Sequence, residues 1–92
     1  MRLMVGVPVY NEEAYIGRVL DEVRRYCEDI FVVNDGSTDA TGRILSATAG
    51  IGVHTHEANE GYGQSLVDIF DRARAERYDW VVTLDADEQH EP

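Results

Sequence analysis

The chain has 92 residues, which is enough for one small domain and too few for two. Its 18 acidic residues against 8 arginines, with no lysine, give a formal net charge of −10. This charge argues against non-specific binding of nucleic acid or of an anionic membrane through a basic face. A phosphate-bearing ligand would therefore need a metal ion or local backbone donors.

The single cysteine and the first residues of the chain indicate the cellular compartment. Cys27 is the one cysteine, so no intrachain disulfide forms, and its place in an apolar helical stripe predicts a buried, inert thiol. The start of the chain is interrupted too soon for a signal peptide, and no run approaches the length of a membrane span. We expect this segment to be cytosolic.

The first half of the chain predicts a strand, a helix and a second strand. Leu3–Val9 is a short apolar run, typical of a strand that is buried on both faces. Asn11 is predicted to cap a helix, with Glu12 and Glu13 in its first turn. That helix has one apolar stripe, and residues 30–33 form a second buried strand. The stripe consists of Ile16, Val19, Leu20, Val23 and Cys27.

The second half continues the alternation. The turn at residues 35–39 leads to a second helix, with Ser37 or Thr38 as its cap and Ile44 and Leu45 facing inward. Residues 51–55 predict a weaker third strand, residues 59–63 a turn, and residues 80–84 a fourth strand. The helix between them has the stripe Leu66, Ile69, Phe70 and Ala73.

Strands that alternate with helices predict an α/β fold with a parallel sheet and right-handed crossovers. In such sheets ligands bind outside the carboxyl ends of the strands, near a switch in strand order. Each predicted strand ends in a polar cluster, so all four clusters are expected at one edge. They begin at Tyr10, Asn34, Asn59 and Asp85.

The cluster after the fourth strand favours a metal site. Asp85, Asp87 and Gln89 alternate, so their oxygens project to one side of an extended segment, and Mg²⁺ prefers such ligands together with substrate phosphates. The alternative is a solvated acidic chain end. His90 lies beside this cluster and is either a further ligand or a neighbour.

Two further clusters suit a nucleotide. Asp35 could accept a hydrogen bond from a nucleobase N–H or a ribose hydroxyl, or could only shape the turn that Gly36 permits. Pro8 suits a strand end because it lacks an N–H. The Tyr10 ring could line a base pocket, and Glu12 could accept from a sugar hydroxyl while also serving as a cap.

The remaining polar features carry less information. Gly61 and Gly63 could bring backbone donors to a phosphate, although two glycines are also ordinary turn residues. His54 and His56 alternate on the third strand without a third nitrogen or thiolate ligand nearby, which favours an exposed strand face. A phospho-acceptor receiver domain needs a late lysine, and the chain has none.

Four segments taken together resemble a family 2 glycosyltransferase of the GT-A fold. They are VPVYNEE at residues 7–13, VNDGSTD at 33–39, NEGYG at 59–63 and LDAD at 84–87. The ending DADEQHEP is most similar to the branch that makes polyprenyl-phosphate sugars, such as dolichyl-phosphate mannosyltransferases. The resemblance implies that residues 1–92 are the Rossmann-like nucleotide-binding half of that fold.

The resemblance also implies roles for single residues and for a cation. Pro8, Tyr10, Glu12 and Asp35 match nucleotide-contacting positions. Asp85 matches an acid near both the ribose and the metal. Metal ligation is implied for Asp85, Asp87 and Gln89, with Mg²⁺ or Mn²⁺ bridging the diphosphate of a GDP- or UDP-sugar.

The resemblance has one large departure, which is length. Family members continue past the D-x-D motif with an acceptor-binding half that supplies the catalytic base, and we expect both beyond Pro92. The prediction is an inverting, metal-dependent transfer to a polyprenyl phosphate at the cytoplasmic membrane face, for which this chain supplies donor binding alone. The alternative is a non-catalytic nucleotide-binding or self-associating module, because an uncovered edge strand invites dimerisation.

Overall fold

The computed structural model describes residues 1–85 and confirms the predicted α/β fold. Strands and helices alternate along the chain, and all four strands are parallel, in the order β3-β2-β1-β4. The elements are β1 (Leu3–Val9), α1 (Ile16–Arg24), β2 (Ile30–Asn34), α2 (Thr41–Ser46), β3 (Gly52–Thr55), α3 (Tyr62–Ala75) and β4 (Trp80–Thr83).

The strand order contains a switch point between β1 and β4. The chain moves outward from β1 through β2 to β3, and then returns through α3 to place β4 on the other side of β1. The connections on the two sides of β1 therefore run in opposite directions, which leaves a crevice above the carboxyl ends of β1 and β4.

Side chains alternate between the two faces of the sheet, and each face has its own apolar core. On one face Val5, Val7 and Val9 of β1 pack with α1 and α2. On the other face Met4 and Phe31 belong to a second cluster with α3. Both central strands are buried because helices cover both of their faces.

Helix α3 lies unusually close to β1 at Gly6. A Cβ built on Gly6 would lie 2.4 Å from Cγ2 of Ile69, a fully buried residue of α3. Glycine permits this close packing of the middle of α3 on β1.

The structure corrects several local predictions. Helix α1 begins at Ile16, with no side-chain cap, rather than at Asn11. Helix α2 begins at Thr41, so neither Ser37 nor Thr38 caps it. Phe70 is exposed, although the other residues of its predicted stripe are buried or half-buried.

The prediction that the Cys27 thiol is buried is only partly correct. Cys27 is only half-buried, and its thiol lies 3.6 Å from the carbonyl oxygen of Leu3. Within residues 1–85, no helix has both the length and the apolar character that a bilayer crossing requires.

Candidate functional site

An open cavity of about 480 Å³ lies at the carboxyl ends of the strands, a volume within the range of small-molecule sites. Its walls include all five residues that the sequence predicts to contact a nucleotide. The lining residues are Pro8, Val9, Tyr10, Glu12, Asp35, Asn59, Gly61, Tyr62, Ser65 and Asp85.

The cavity opens where the ladder between β1 and β4 ends. The last pair in that ladder is Gly6 with Thr83, and the N–H of Leu84 donates to the Gly6 carbonyl at 3.0 Å. Because backbone groups of a parallel strand alternate between its two neighbours, Pro8 is the next residue of β1 to face β4. Proline has no N–H to leave unsatisfied there.

One wall of the cavity is built from two loops that hydrogen-bond to each other. The backbone of Asn11 has a left-handed φ of 52°. Its side-chain Oδ1 accepts a hydrogen bond from the N–H of Thr38 at 2.8 Å. The N–H of Asn11 donates to the Ser37 hydroxyl at 3.0 Å. The N–H of Glu12 donates to the Thr41 hydroxyl at 2.9 Å. These polar residues join the β1–α1 loop to the β2–α2 loop instead of capping helices.

Asp35, at the end of β2, is buried, with 4% of its surface exposed. Its carboxylate accepts hydrogen bonds from the backbone N–H of Glu60 at 2.7 Å and of Gly61 at 3.0 Å. It also lies 2.7 Å from Nδ1 of His56. Asp35 thus shapes the loop before α3 and lines the cavity at the same time.

The prediction of an exposed face is correct for His54 and wrong for His56. The latter is 5% exposed and lies just past the end of β3, where its backbone N–H donates to the Asn34 carbonyl at 2.9 Å. Its Nε2 lies 2.5 Å from Oδ2 of Asp68 on α3. Both ring nitrogens are therefore held by carboxylates, a contact that strand periodicity does not reveal.

The His56 ring and each of the two carboxylates stabilise one another's charged forms. The hydrogen bond to Asp35, with help from Asp68, raises the pKa of His56 above its ordinary value. Burial alone would raise the pKa of Asp35, but hydrogen bonds from Glu60, His56 and Gly61 outweigh burial and lower it. The hydrogen bond from His56 likewise lowers the pKa of Asp68.

His54, His56 and Asp68 also place three metal-ligating atoms within 4.8 Å of one another. When Nε2 of His56 donates to Asp68 across their 2.5 Å contact, that nitrogen has no lone pair for a metal. We therefore interpret the cluster as a hydrogen-bonded network.

The predicted metal ligands are described only at Asp85. This carboxylate lines the cavity and accepts a hydrogen bond from the Tyr62 hydroxyl. Burial, followed by the charge and hydrogen bond of Asp85, raises the pKa of Tyr62. Asp87, Gln89 and His90 lie outside the described residues.

A parallel sheet with a cavity at its switch point, lined by acids that follow β2 and β4, is the arrangement in which open α/β domains bind ligands. Residues 4–92 match the family described as glycosyl transferase family 2. The chain belongs to that family.

The chain is also similar to individual proteins of three organisms. The chain is 36% identical to an undecaprenyl-phosphate 4-deoxy-4-formamido-L-arabinose transferase of Pseudomonas paraeruginosa, with 96% of the chain and 28% of that protein covered. The corresponding transferase of Proteus mirabilis is 32% identical, with coverage of 99% and 30%. An uncharacterised protein of Methanocaldococcus jannaschii is 36% identical, with coverage of 98% and 37%. The chain thus spans between a quarter and two fifths of the length of these relatives.

Proposed function

We propose that the cavity binds the nucleoside diphosphate of a nucleotide sugar, either a GDP- or a UDP-sugar. The observation that carries this proposal is the convergence of residues from β1, β2, β4 and the beginning of α3 on one cavity of about 480 Å³. Membership of glycosyl transferase family 2 gives that cavity a donor substrate class.

The lining residues suit the parts of such a ligand. Tyr10 exposes 44% of its surface and offers a ring on which a base can stack. Asp35 and Glu12 bring carboxylate oxygens that can accept from a base N–H or from ribose hydroxyls. Pro8 also lines the cavity and has no backbone N–H to compete as a donor.

The charge of the cavity walls supports the proposal that binding depends on a metal. The described lining includes three carboxylates, at Glu12, Asp35 and Asp85, and no basic side chain. A diphosphate would be repelled there unless a cation neutralised it. Asp85 fits a hard cation because carboxylate oxygens are the ligands that Mg²⁺ and Mn²⁺ prefer, and we propose that Asp87 and Gln89 complete the set.

A cation held by this set would act as a Lewis acid on the diphosphate leaving group. We propose an inverting transfer from the nucleotide sugar to a polyprenyl phosphate, because similar proteins are named undecaprenyl-phosphate sugar transferases. The acceptor is a membrane lipid and the donor is water-soluble, so we place the reaction at the cytoplasmic membrane face. We assign donor binding to residues 1–92, and acceptor binding and its base to other residues.

Calorimetric titration tests donor binding directly. We expect UDP or GDP to bind weakly in the presence of Mn²⁺ and to lose that binding with a chelator. Asp85→Asn should weaken the metal-dependent part, whereas Asp71→Asn, the same charge change on the exposed side of α3, should not. Wild-type chain that gives no heat with either nucleotide contradicts the proposal, and sugar transfer by this chain alone contradicts the assignment of donor binding alone.

One observation favours self-association as a second function. Leu3, Trp80, Val82 and Leu84 form an exposed apolar row beside the open edge of β4, with Trp80 57% exposed. If this row is a dimer contact, Val82→Asp should abolish a dimer seen by sedimentation. Val53→Asp, at an exposed valine on the opposite edge strand, should leave that dimer intact. A wild-type monomer at high concentration rules the function out.

A further inference from the structure

The His56 imidazole is enclosed between two carboxylates. Its side chain is 3% exposed, with Nδ1 2.7 Å from Asp35 and Nε2 2.5 Å from Asp68. An ionised carboxylate only accepts hydrogen bonds, so each ring nitrogen must carry a hydrogen to make its contact. With both carboxylates ionised, the geometry therefore favours the imidazolium form.

We propose that His56 is a positioning residue of the donor cavity. As an imidazolium it fixes the Asp35 carboxylate, and that carboxylate in turn holds the backbone N–H groups of Glu60 and of Gly61, the second of which lines the cavity. His56 itself is not among the residues that line the cavity. It would act on a nucleotide only through Asp35 and the loop, and this effect rests on the proposed function.

The groups around His56 come from four elements. Asp35 faces it from the end of β2, Asp68 from α3, and Glu60 contributes negative potential from the loop before α3. His54 on β3 lies edge-on, with ring centroids 5.2 Å apart. The two carboxylates in direct contact with the ring favour the cation.

Asp68 is itself oriented for this contact. The Gln64 side chain, one turn earlier on α3, donates to Oδ1 of Asp68 at 2.9 Å, which leaves Oδ2 for His56. This arrangement ties the first turns of α3 to the end of β2 through one buried ring.

Loss of one ring proton from His56 makes one of its two carboxylate contacts repulsive. A neutral imidazole has one acceptor nitrogen, and that nitrogen would face a carboxylate with no hydrogen between them. The resulting repulsion should displace Asp35 or Asp68 and release the loop at residues 57–61. Nucleotide affinity should then fall as pH rises through the His56 transition.

Nuclear magnetic resonance of ¹⁵N-labelled chain tests the positioning role without a ligand. At neutral pH both ring nitrogens of His56 should give the similar shifts of an imidazolium. On raising the pH, the amide signals of Glu60 and Gly61 should move with the same midpoint as the ring. Asp68→Asn should lower that shared midpoint by about one pH unit or more, because one of the two anionic partners is lost. The Asp71→Asn control should leave it in place.

Titration with UDP or GDP and Mg²⁺ then measures the consequence, which we expect to be an affinity loss of about tenfold above the midpoint. A deprotonated ring nitrogen of His56 at neutral pH overturns the proposal. Amide signals of Glu60 and Gly61 that do not move with the His56 titration also overturn it. Stoichiometric Zn²⁺ binding through His54 and His56 would also overturn it. The wild-type titration decides these points even if Asp68→Asn fails to fold. A chain that binds no nucleotide at any pH contradicts the proposed function instead, and leaves the ligand-free test valid.

Discussion

The carboxylate of Asp35 and the backbone N–H of Gly61 are joined by a hydrogen bond of 3.0 Å across 26 residues of sequence. This bond connects the end of β2 to the residue before α3. It satisfies one of the donors that a helix beginning leaves without an intrahelical partner, and Gly61 has no side chain to serve as a cap. The end of β2 and the beginning of α3 are therefore one structural unit.

Asp35→Asn should strongly destabilise the chain. The substitution removes the buried anion that faces His56, and removal of one partner of a buried ion pair costs about 3–5 kcal/mol. Urea unfolding measures the loss. Asp71→Asn on the exposed side of α3 should change the free energy of unfolding by no more than about 0.5 kcal/mol. An equal effect of the two variants would show that the Asp35 network contributes no stability.

Stability should fall on both sides of a plateau in pH. The folded-state pKa of His56 is raised above 6.5, so its contribution is complete below about pH 6.5 and is lost as pH rises through the folded value. The folded-state pKa values of Asp35 and Asp68 are lowered below 3.8, so their contributions are present above that pH and are lost as pH falls through the folded values.

Replacement of the His56 imidazole separates the loss of stability at high pH from the loss at low pH. Denaturant unfolding between pH 6 and 9 should show a decline in wild-type stability and a nearly flat profile for His56→Gln, which has no imidazole to titrate. His54→Gln is the matched control, since it removes an exposed histidine two residues away and should keep the decline. A decline of equal size in His56→Gln would assign the alkaline loss to another group.

Gly36 should not tolerate a side chain. Its φ is 72°, and a Cβ there would lie 2.4 Å from the backbone carbonyl carbon of Ala58. Gly36→Ala should therefore cost about 1–3 kcal/mol from the left-handed conformation, and more if the backbone of the neighbouring loop must move. Thermal unfolding provides the measurement.

Gly17→Ala gives the opposite expectation in the same chain. Gly17 lies inside α1 with open space where a Cβ would be, so alanine should stabilise the helix by up to about 1 kcal/mol. Should Gly36→Ala be as stable as Gly17→Ala, the close approach of the β2–α2 turn to Ala58 would be disproved.

The fold was predictable because its signals are local and repeated. Four apolar runs separated by helical stripes predict a parallel α/β sheet, and the rule that ligands bind at strand carboxyl ends predicts the edge that carries the cavity. Asp35 and Asp85 lie at that edge for this reason. Strand order follows less directly, since no residue pattern states that β4 pairs with β1.

Contacts between distant segments were not predictable in the same way. Asn11 and Ser37 have the chemistry of helix caps, yet they bond across two loops, because tertiary pairing overrides local preference. His56 reads as the continuation of an alternating strand, although β3 ends at Thr55. Asp68 lies on α3 beside the buried stripe, and no local pattern distinguishes it from the other acid of that helix, because its contact with His56 depends on the tertiary fold.

The central claim is that the cavity at the β1–β4 switch point binds a nucleoside diphosphate, and amide chemical-shift mapping with UDP or GDP and Mg²⁺ tests it most directly. The signals of Tyr10, Asp35 and Gly61 should move with increasing nucleotide. Those of Asp29 and Gly50, at a smaller cavity of about 160 Å³ beside the amino end of β2, should stay in place. Shifts confined to that second cavity, or no shifts at all at saturating nucleotide, would contradict the claim.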